Sequence, residues 1–122
     1  MAAIGVLIVD DDADIRGLLR ATIDLAGVGL QVVGEAIDGF DGLTKWRDKR
    51  PDVVVLDHLM PGKTGLETAA DILAEEPAQL IVLFTAYLDA ELMEEAKRVG
   101  VRACLSKGEV NRLPEVLLAT DA

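Results

Sequence analysis

The chain has 122 residues, 51% of them hydrophobic, and its 22 acids against 12 bases give a formal charge of −10. That length suits one domain able to bury roughly 60 to 70% of its unfolded surface, and so acidic a balance disfavours direct binding to phosphate backbones, which needs clustered Lys and Arg. The single cysteine, Cys104, allows neither an internal disulfide nor a thiolate zinc cage and points to a cytoplasmic setting, while the apolar lead Met1 to Val9 lacks a basic leader and is too short to span a membrane.

The first apolar run, Ile4 to Val9, reads as a strand and ends in three consecutive acids, Asp10, Asp11 and Asp12. A helical pattern follows, with Ile15, Leu18, Leu19, Ile23 and Ala26 at helical spacing and Gly27 placed for a left-handed cap. Leu30 to Glu35 is the second strand. The second helix is less regular, with Phe40, Leu43 and Trp46 three apart and a stop before Pro51. Val53 to Leu56 is the third strand, and it ends in Asp57. Leu66, Ala69, Ala70 and Leu73 form the stripe of the third helix, which closes near Pro77. Leu80 to Phe84 is the fourth strand, closed by Thr85. Asp89 is placed to cap a fourth helix that turns Leu92, Ala96 and Val99 inward and stops at Gly100. Arg102 to Leu105 is the fifth strand, with Lys107 just beyond it. A brief last helix carries Pro114 in its first turn and Leu113, Val116 and Leu117 facing inward.

Acids and bases divide evenly between the halves, eleven against six in each, so no acidic tail or basic arm stands apart. No linker, repeat or low-complexity tract interrupts the alternation. One domain over residues 1–122 is expected, an α/β, doubly wound, flavodoxin-like (βα)5 fold with a five-stranded parallel sheet in the order 2-1-3-4-5. In that order the first and third strands are neighbours, and a crevice opens beyond their carboxyl ends where connection direction reverses. Asp10, Asp11 and Asp57 fall at that crevice, and Thr85 and Lys107 reach the same edge from the fourth and fifth strands.

Three close carboxylates repel one another unless a cation joins them, and Mg²⁺ suits a few carboxylate oxygens with water or phosphate completing its octahedron. An aspartate left free to act as nucleophile can form an acyl phosphate. Such transfer depends on alignment and on neutralising equatorial oxygens, tasks suited to Mg²⁺, the Lys107 ammonium and the Thr85 hydroxyl.

These residues resemble the response regulator receiver domain, the phospho-accepting half of two-component signalling, over nearly the whole chain. The matching pieces are Val9-Asp10-Asp11-Asp12, Asp57 with Met60-Pro61-Gly62 and Gly65-Leu66-Glu67, Thr85-Ala86, and Lys107. The resemblance implies Asp57 as phosphoacceptor, Asp10 and Asp11 as the acid pair for Mg²⁺, and the Leu59 carbonyl as a further metal ligand. It implies Thr85 as switch hydroxyl and Lys107 as the phosphate-contacting lysine. A histidine kinase or histidine phosphotransfer protein is the implied donor, and a downstream protein effector or a further output domain the implied receiver of the signal. No direct nucleic-acid or membrane contact is expected, a homodimer is one open arrangement, and both a stand-alone regulator and a piece of a longer one fit. The chain would catalyse only its own phosphorylation and dephosphorylation.

Departures matter as much as matches. Receivers usually carry an aromatic residue three positions before the conserved lysine, where this chain has Cys104, and many have proline after it, where this chain has Gly108. Leu59 and Tyr87 occupy the two positions that tune phosphoryl lifetime, and neither positions water well, so slow self-dephosphorylation is expected, with Tyr87 screening the phosphoryl. Asp12 and Asp14 are assigned to the helix start, where acids offset the dipole. His58, without a second imidazole or thiolates, is read as a bystander, Cys104 as a core residue, and Trp46 and Met93 as packing or surface contacts. Gly62-Lys63-Thr64 imitates the end of a phosphate-binding P-loop, but the first glycine that motif requires is Asp57 here. Two other functions stay open at this point: a degenerate receiver that only binds partners, and a Mg²⁺-dependent aspartyl-phosphate hydrolase, for which Asp10-x-Asp12 is a formal match.

Overall fold

The computed structural model describes residues 3–27 and 29–121. The reading of Met1 and Ala2 as part of the first strand's apolar lead lies outside them. Five strands, β1 (Ile4–Val9), β2 (Leu30–Ala36), β3 (Val53–Leu56), β4 (Leu80–Thr85) and β5 (Ala103–Ser106), form one parallel sheet in the order β2-β1-β3-β4-β5. The helices between and after them are α1 (Ala13–Ala26), α2 (Gly39–Lys49), α3 (Gly65–Glu75), α4 (Ala90–Val99) and α5 (Leu113–Asp121). The expected flavodoxin-like order is therefore the observed one.

The central strands are continuous apolar runs because both of their faces are covered. Alternate residues supply two cores. Leu7, Val9, Val54, Leu56, Ile81 and Leu83 pack under Trp46 of α2, Leu66, Ala69 and Ile72 of α3 and Ala96 of α4. Val6, Ile8, Val53, Val55, Val82 and Phe84 pack under Leu19 and Ile23 of α1 and Leu113 and Leu117 of α5. Each fully buried aliphatic side chain contributes about 1.5–3 kcal/mol relative to exposure, which makes these two layers the main source of stability.

Helix ends follow local chemistry. Asp12 caps α1 by accepting from the Asp14 amide at 2.8 Å, and Asp89 caps α4 by accepting from the Leu92 amide at 2.8 Å. Gly27 and Gly100 end these helices with φ of 63° and 111°, angles that a side chain resists. α3 opens with a capping box in which Thr64 Oγ1 accepts from the Glu67 amide at 3.2 Å while Glu67 Oε1 accepts from the Thr64 amide at 2.9 Å. That backbone donor, with the hydroxyl, holds the Glu67 carboxyl below its ordinary value.

Several expectations shift in detail. β2 runs one residue further, to Ala36, and β5 covers Ala103–Ser106, with the exposed Arg102 just before it still donating its amide to the Ile81 carbonyl. Phe40 lies in the solvent at 61% exposure rather than in the α2 stripe, its ring 5.0 Å from the Lys63 ammonium. Leu18 and Ala70 also turn outward, since α1 and α3 bury narrower stripes than the apolar spacing implies. A 3-10 turn, Lys107–Arg112, precedes α5 and had no signature in the apolar pattern.

Candidate functional site

The sheet's carboxyl edge brings the acids together through its ladders. Beyond the strand ends the Asp10 amide donates to the Ala36 carbonyl at 3.1 Å and the Asp57 amide donates to the Val9 carbonyl at 2.9 Å, so both aspartates are fixed by backbone before their side chains do anything. Asp10 and Asp57 are 1% and 4% exposed, whereas Asp11 is open to solvent. Carboxylate oxygens of Asp10, Asp11 and Asp57 all lie within 4.8 Å of one another, a spacing that suits one shared cation.

Lys107 enters from the end of β5. Its Nζ lies 2.9 Å from Asp10 Oδ2 and 3.3 Å from Asp57 Oδ2. The contact to Asp10 is a charge pair rather than an aligned hydrogen bond, and Asp10 Oδ2 stays buried without a directed donor. Asp10 Oδ1 accepts from the Asp12 amide and Asp57 Oδ1 accepts from the His58 amide, each at 2.9 Å. One ammonium thus serves two buried carboxylates beside a third that is exposed. The surplus negative charge and the orphaned oxygen fit a divalent cation, and its hard, oxygen-only donor set fits Mg²⁺.

Burial raises the Asp57 carboxyl above its ordinary value, and the neighbouring Asp10 raises it further; Lys107 and the His58 amide offset this only in part. Burial pulls the Lys107 ammonium downward, but Asp10 and Asp57 outweigh it and hold the group above its ordinary value. The lysine is therefore a permanent cation at neutral pH. Burial also raises the half-buried Cys104 thiol, which keeps it protonated and unreactive.

Thr85 closes β4 at 1% exposure, paired in register with Ser106 just before Lys107. Leu59, on the loop after β3, exposes 57% of its surface, and Tyr87, on the loop after β4, exposes 77%. The screening expected of Tyr87 is not made in this conformation because its ring stands in water. Asp12 lies outside the acid pocket and serves α1, and His58 contributes its amide, not its imidazole, to Asp57.

Two supporting roles escaped the sequence reading. Arg16 Nη1 donates to the Asp10 carbonyl at 2.7 Å while its Nε lies 3.3 Å from Glu35 Oε1, so it ties the acid to β2. Its signal was a lone arginine four residues after the N-cap, too common to single out. Gly65 donates its amide to the His58 carbonyl at 2.8 Å, and a Cβ there would run into the Asp57 carbonyl. The Gly65-Leu66-Glu67 match carried that information only as a pattern, with no reason attached.

The response regulator receiver domain description matches residues 6–117. Chemotaxis protein CheY of Thermotoga maritima is 32% identical over 102 residues, covering 84% of this chain and 83% of that protein. A protein-glutamate methylesterase/protein-glutamine glutaminase of Methanosarcina acetivorans is 43% identical over 77 residues, which are 63% of this chain and 21% of that protein. The chain spans about a fifth to a half of the length of several curated relatives that it matches. Among solved structures, the receiver domain of the response regulator NarL from Mycobacterium tuberculosis superposes with a TM-score of 0.88 at 28% identity, covering 100% of this chain and 99% of that one. A LuxR-family response regulator from Aurantimonas sp. SI85-9A1 gives 0.93 at 26% identity over 98% of this chain and 86% of that one. With the receiver-domain description matching residues 6–117, most of its length, and relatives aligned over most of both chains, this chain belongs to the response regulator receiver domain family.

Proposed function

We propose that the chain is a phosphorylation-dependent switch that accepts a phosphoryl group on Asp57 from a histidine kinase or histidine phosphotransfer protein. An Asp57 carboxylate oxygen attacks phosphorus, a P–O bond forms, the donor's P–N bond breaks, and the departing imidazole nitrogen keeps the electron pair. Asp10, Asp11 and Asp57, with the Leu59 carbonyl, are the residues that would hold Mg²⁺. When bound, the cation neutralises the acid pocket and the incoming phosphoryl oxygens.

The chain's own groups supply the rest. Lys107 pairs with Asp10 and Asp57 before the reaction, and its second contact is free to pass from the Asp57 carboxylate to a phosphoryl oxygen. Thr85, at the buried end of β4, is the hydroxyl placed to follow that new oxygen, and the loop beyond it carries the change toward α4. With Cys104 in place of an aromatic residue, the readout rests on this loop rather than on a ring rotamer.

The observation that carries this reading is the meeting of three carboxylates within 4.8 Å with one lysine that touches two of them. Incubation with Mg²⁺ and a small phosphodonor, followed by intact-mass analysis, tests it. One phosphoryl adduct is expected on the native chain and none on Asp57→Asn. Multiple turnovers without an Asp57 adduct would support the hydrolase instead, and no adduct at all a phosphorylation-independent binding module.

A further inference from the structure

A cleft of about 270 Å³ lies beside the acid pocket, between the loops after β3 and β4 and the outer side of α4. Its apolar ledges are Leu59 and Tyr87, both largely exposed, with Leu92 half-buried between them. Its rim is acidic: Asp89, Glu91 and Glu95. Asp89 is consumed as the α4 cap, and Glu91 suits the helix's first turn. Glu95 has no such explanation. It stands one turn from Glu91, a like-charge pair that weakens a helix, and among the described residues neither is ion-paired. His58, also in the wall, has a buried Nδ1 with no hydrogen-bond partner.

The larger cleft at the other end of the molecule, about 380 Å³, lacks this surplus. There Arg47 pairs with Glu75, the Trp46 indole donates to Gln79 at 2.8 Å, and the remaining charges, Arg50 and Glu76, are opposite in sign, so the wall carries no surplus of one charge. In the smaller cleft, charge and apolar surface are both left over.

We propose that the cleft docks a cationic segment of another protein, one that inserts a bulky apolar side chain between Leu59, Tyr87 and Leu92 and sets Lys or Arg against Glu91 and Glu95. Charge complementarity selects this occupant. A second copy of a chain with net charge −10 would meet acid with acid, and nucleic acid and anionic lipid are repelled for the same reason. The volume lies below the usual range of small-molecule sites and fits an anchoring side chain. The proposal goes beyond the phosphoryl chemistry and does not depend on it, since these features are in place without a phosphoryl group.

The test uses the unphosphorylated, metal-free chain, so that failure of the phosphoryl reading would leave it intact. A synthetic amphipathic Lys/Leu peptide is titrated against isotope-labelled protein and followed by amide resonances. Saturable shifts are expected at His58, Leu59, Tyr87, Leu92 and Glu95. Glu91→Lys/Glu95→Lys should weaken binding by about tenfold, while Asp48→Lys/Glu76→Lys, with the same charge change away from the cleft, should leave it intact. Dispersed spectra of both variants would show that they fold. Equal weakening by the second variant, equal binding of a Glu/Leu peptide, no saturation, or shifts centred on Asp10, Asp57 and Lys107 would each overturn the proposal. The same shifts on concentrating the protein alone would give the cleft to a second copy and overturn it too.

Discussion

Asp57 is held in a place that opposes its charge. Because its carboxyl is raised above the ordinary value, it contributes stability while protonated, and that contribution is lost as pH rises through its folded-state value. Ionised Asp57 therefore costs stability at neutral pH in the absence of metal. Asp57→Asn should raise the melting midpoint of the metal-free protein by roughly 2–6 °C at pH 7, and the gain should vanish as pH falls below the ordinary carboxylate range. Thermal melts across pH check this; a variant less stable than the parent at pH 7 would contradict it. Phosphoryl lifetime belongs to the same scale. Leu59 offers no group that positions water, so Leu59→Asn should speed decay of the phosphorylated chain several-fold, whereas Tyr87→Glu should do less because the side chain at that position stands in water. A native chain that loses its phosphoryl group as fast as Leu59→Asn does would refute this.

The strands place the acids, but the elements that follow hold them there. α3 begins directly against Asp57: the Gly65 amide donates to the His58 carbonyl and the glycine leaves no room for a methyl group beside the Asp57 carbonyl. Gly65→Ala should cost about 1–3 kcal/mol by forcing these backbones apart and should slow phosphorylation by more than its loss of stability explains, as urea melts and phosphorylation time courses on the same sample would reveal. Full activity with unchanged stability would show that the contact relaxes freely. At this scale the sequence was legible where chemistry is local and blind where it is tertiary. Asp12, Asp89, Gly27 and Gly100 announced their helix ends because caps are written in single residues. The 3-10 turn Lys107–Arg112 was invisible because it has no apolar period, and Arg50, with φ of 46°, ends α2 in a left-handed conformation that its side chain does not advertise. Phe40 misled because spacing counts apolar residues and ignores whether a partner such as the Lys63 ammonium waits outside.

Across the whole molecule, strand order was readable because five apolar runs separated by helical patterns leave few ways to cover both faces of a parallel sheet. That order alone carries Asp10 and Asp57 to adjacent strand ends forty-seven positions apart in sequence, with Lys107 arriving from the far edge. What the order did not disclose is charge balance inside the pocket: one lysine shared by two buried acids, and an Asp10 oxygen that meets this lysine as a charge pair without an aligned hydrogen bond. No described helix is long and apolar enough to cross a membrane. We propose that this pocket needs a divalent cation before Asp57 can accept phosphoryl. The most direct measurement is the yield of the Asp57 adduct, by intact mass, over a titration from excess chelator to saturating Mg²⁺ with a fixed small phosphodonor. Almost no adduct is expected in chelator, with a saturable rise on adding Mg²⁺ that is lost in Asp10→Asn and Asp11→Asn; an adduct formed equally well in chelator would rule out the cation requirement.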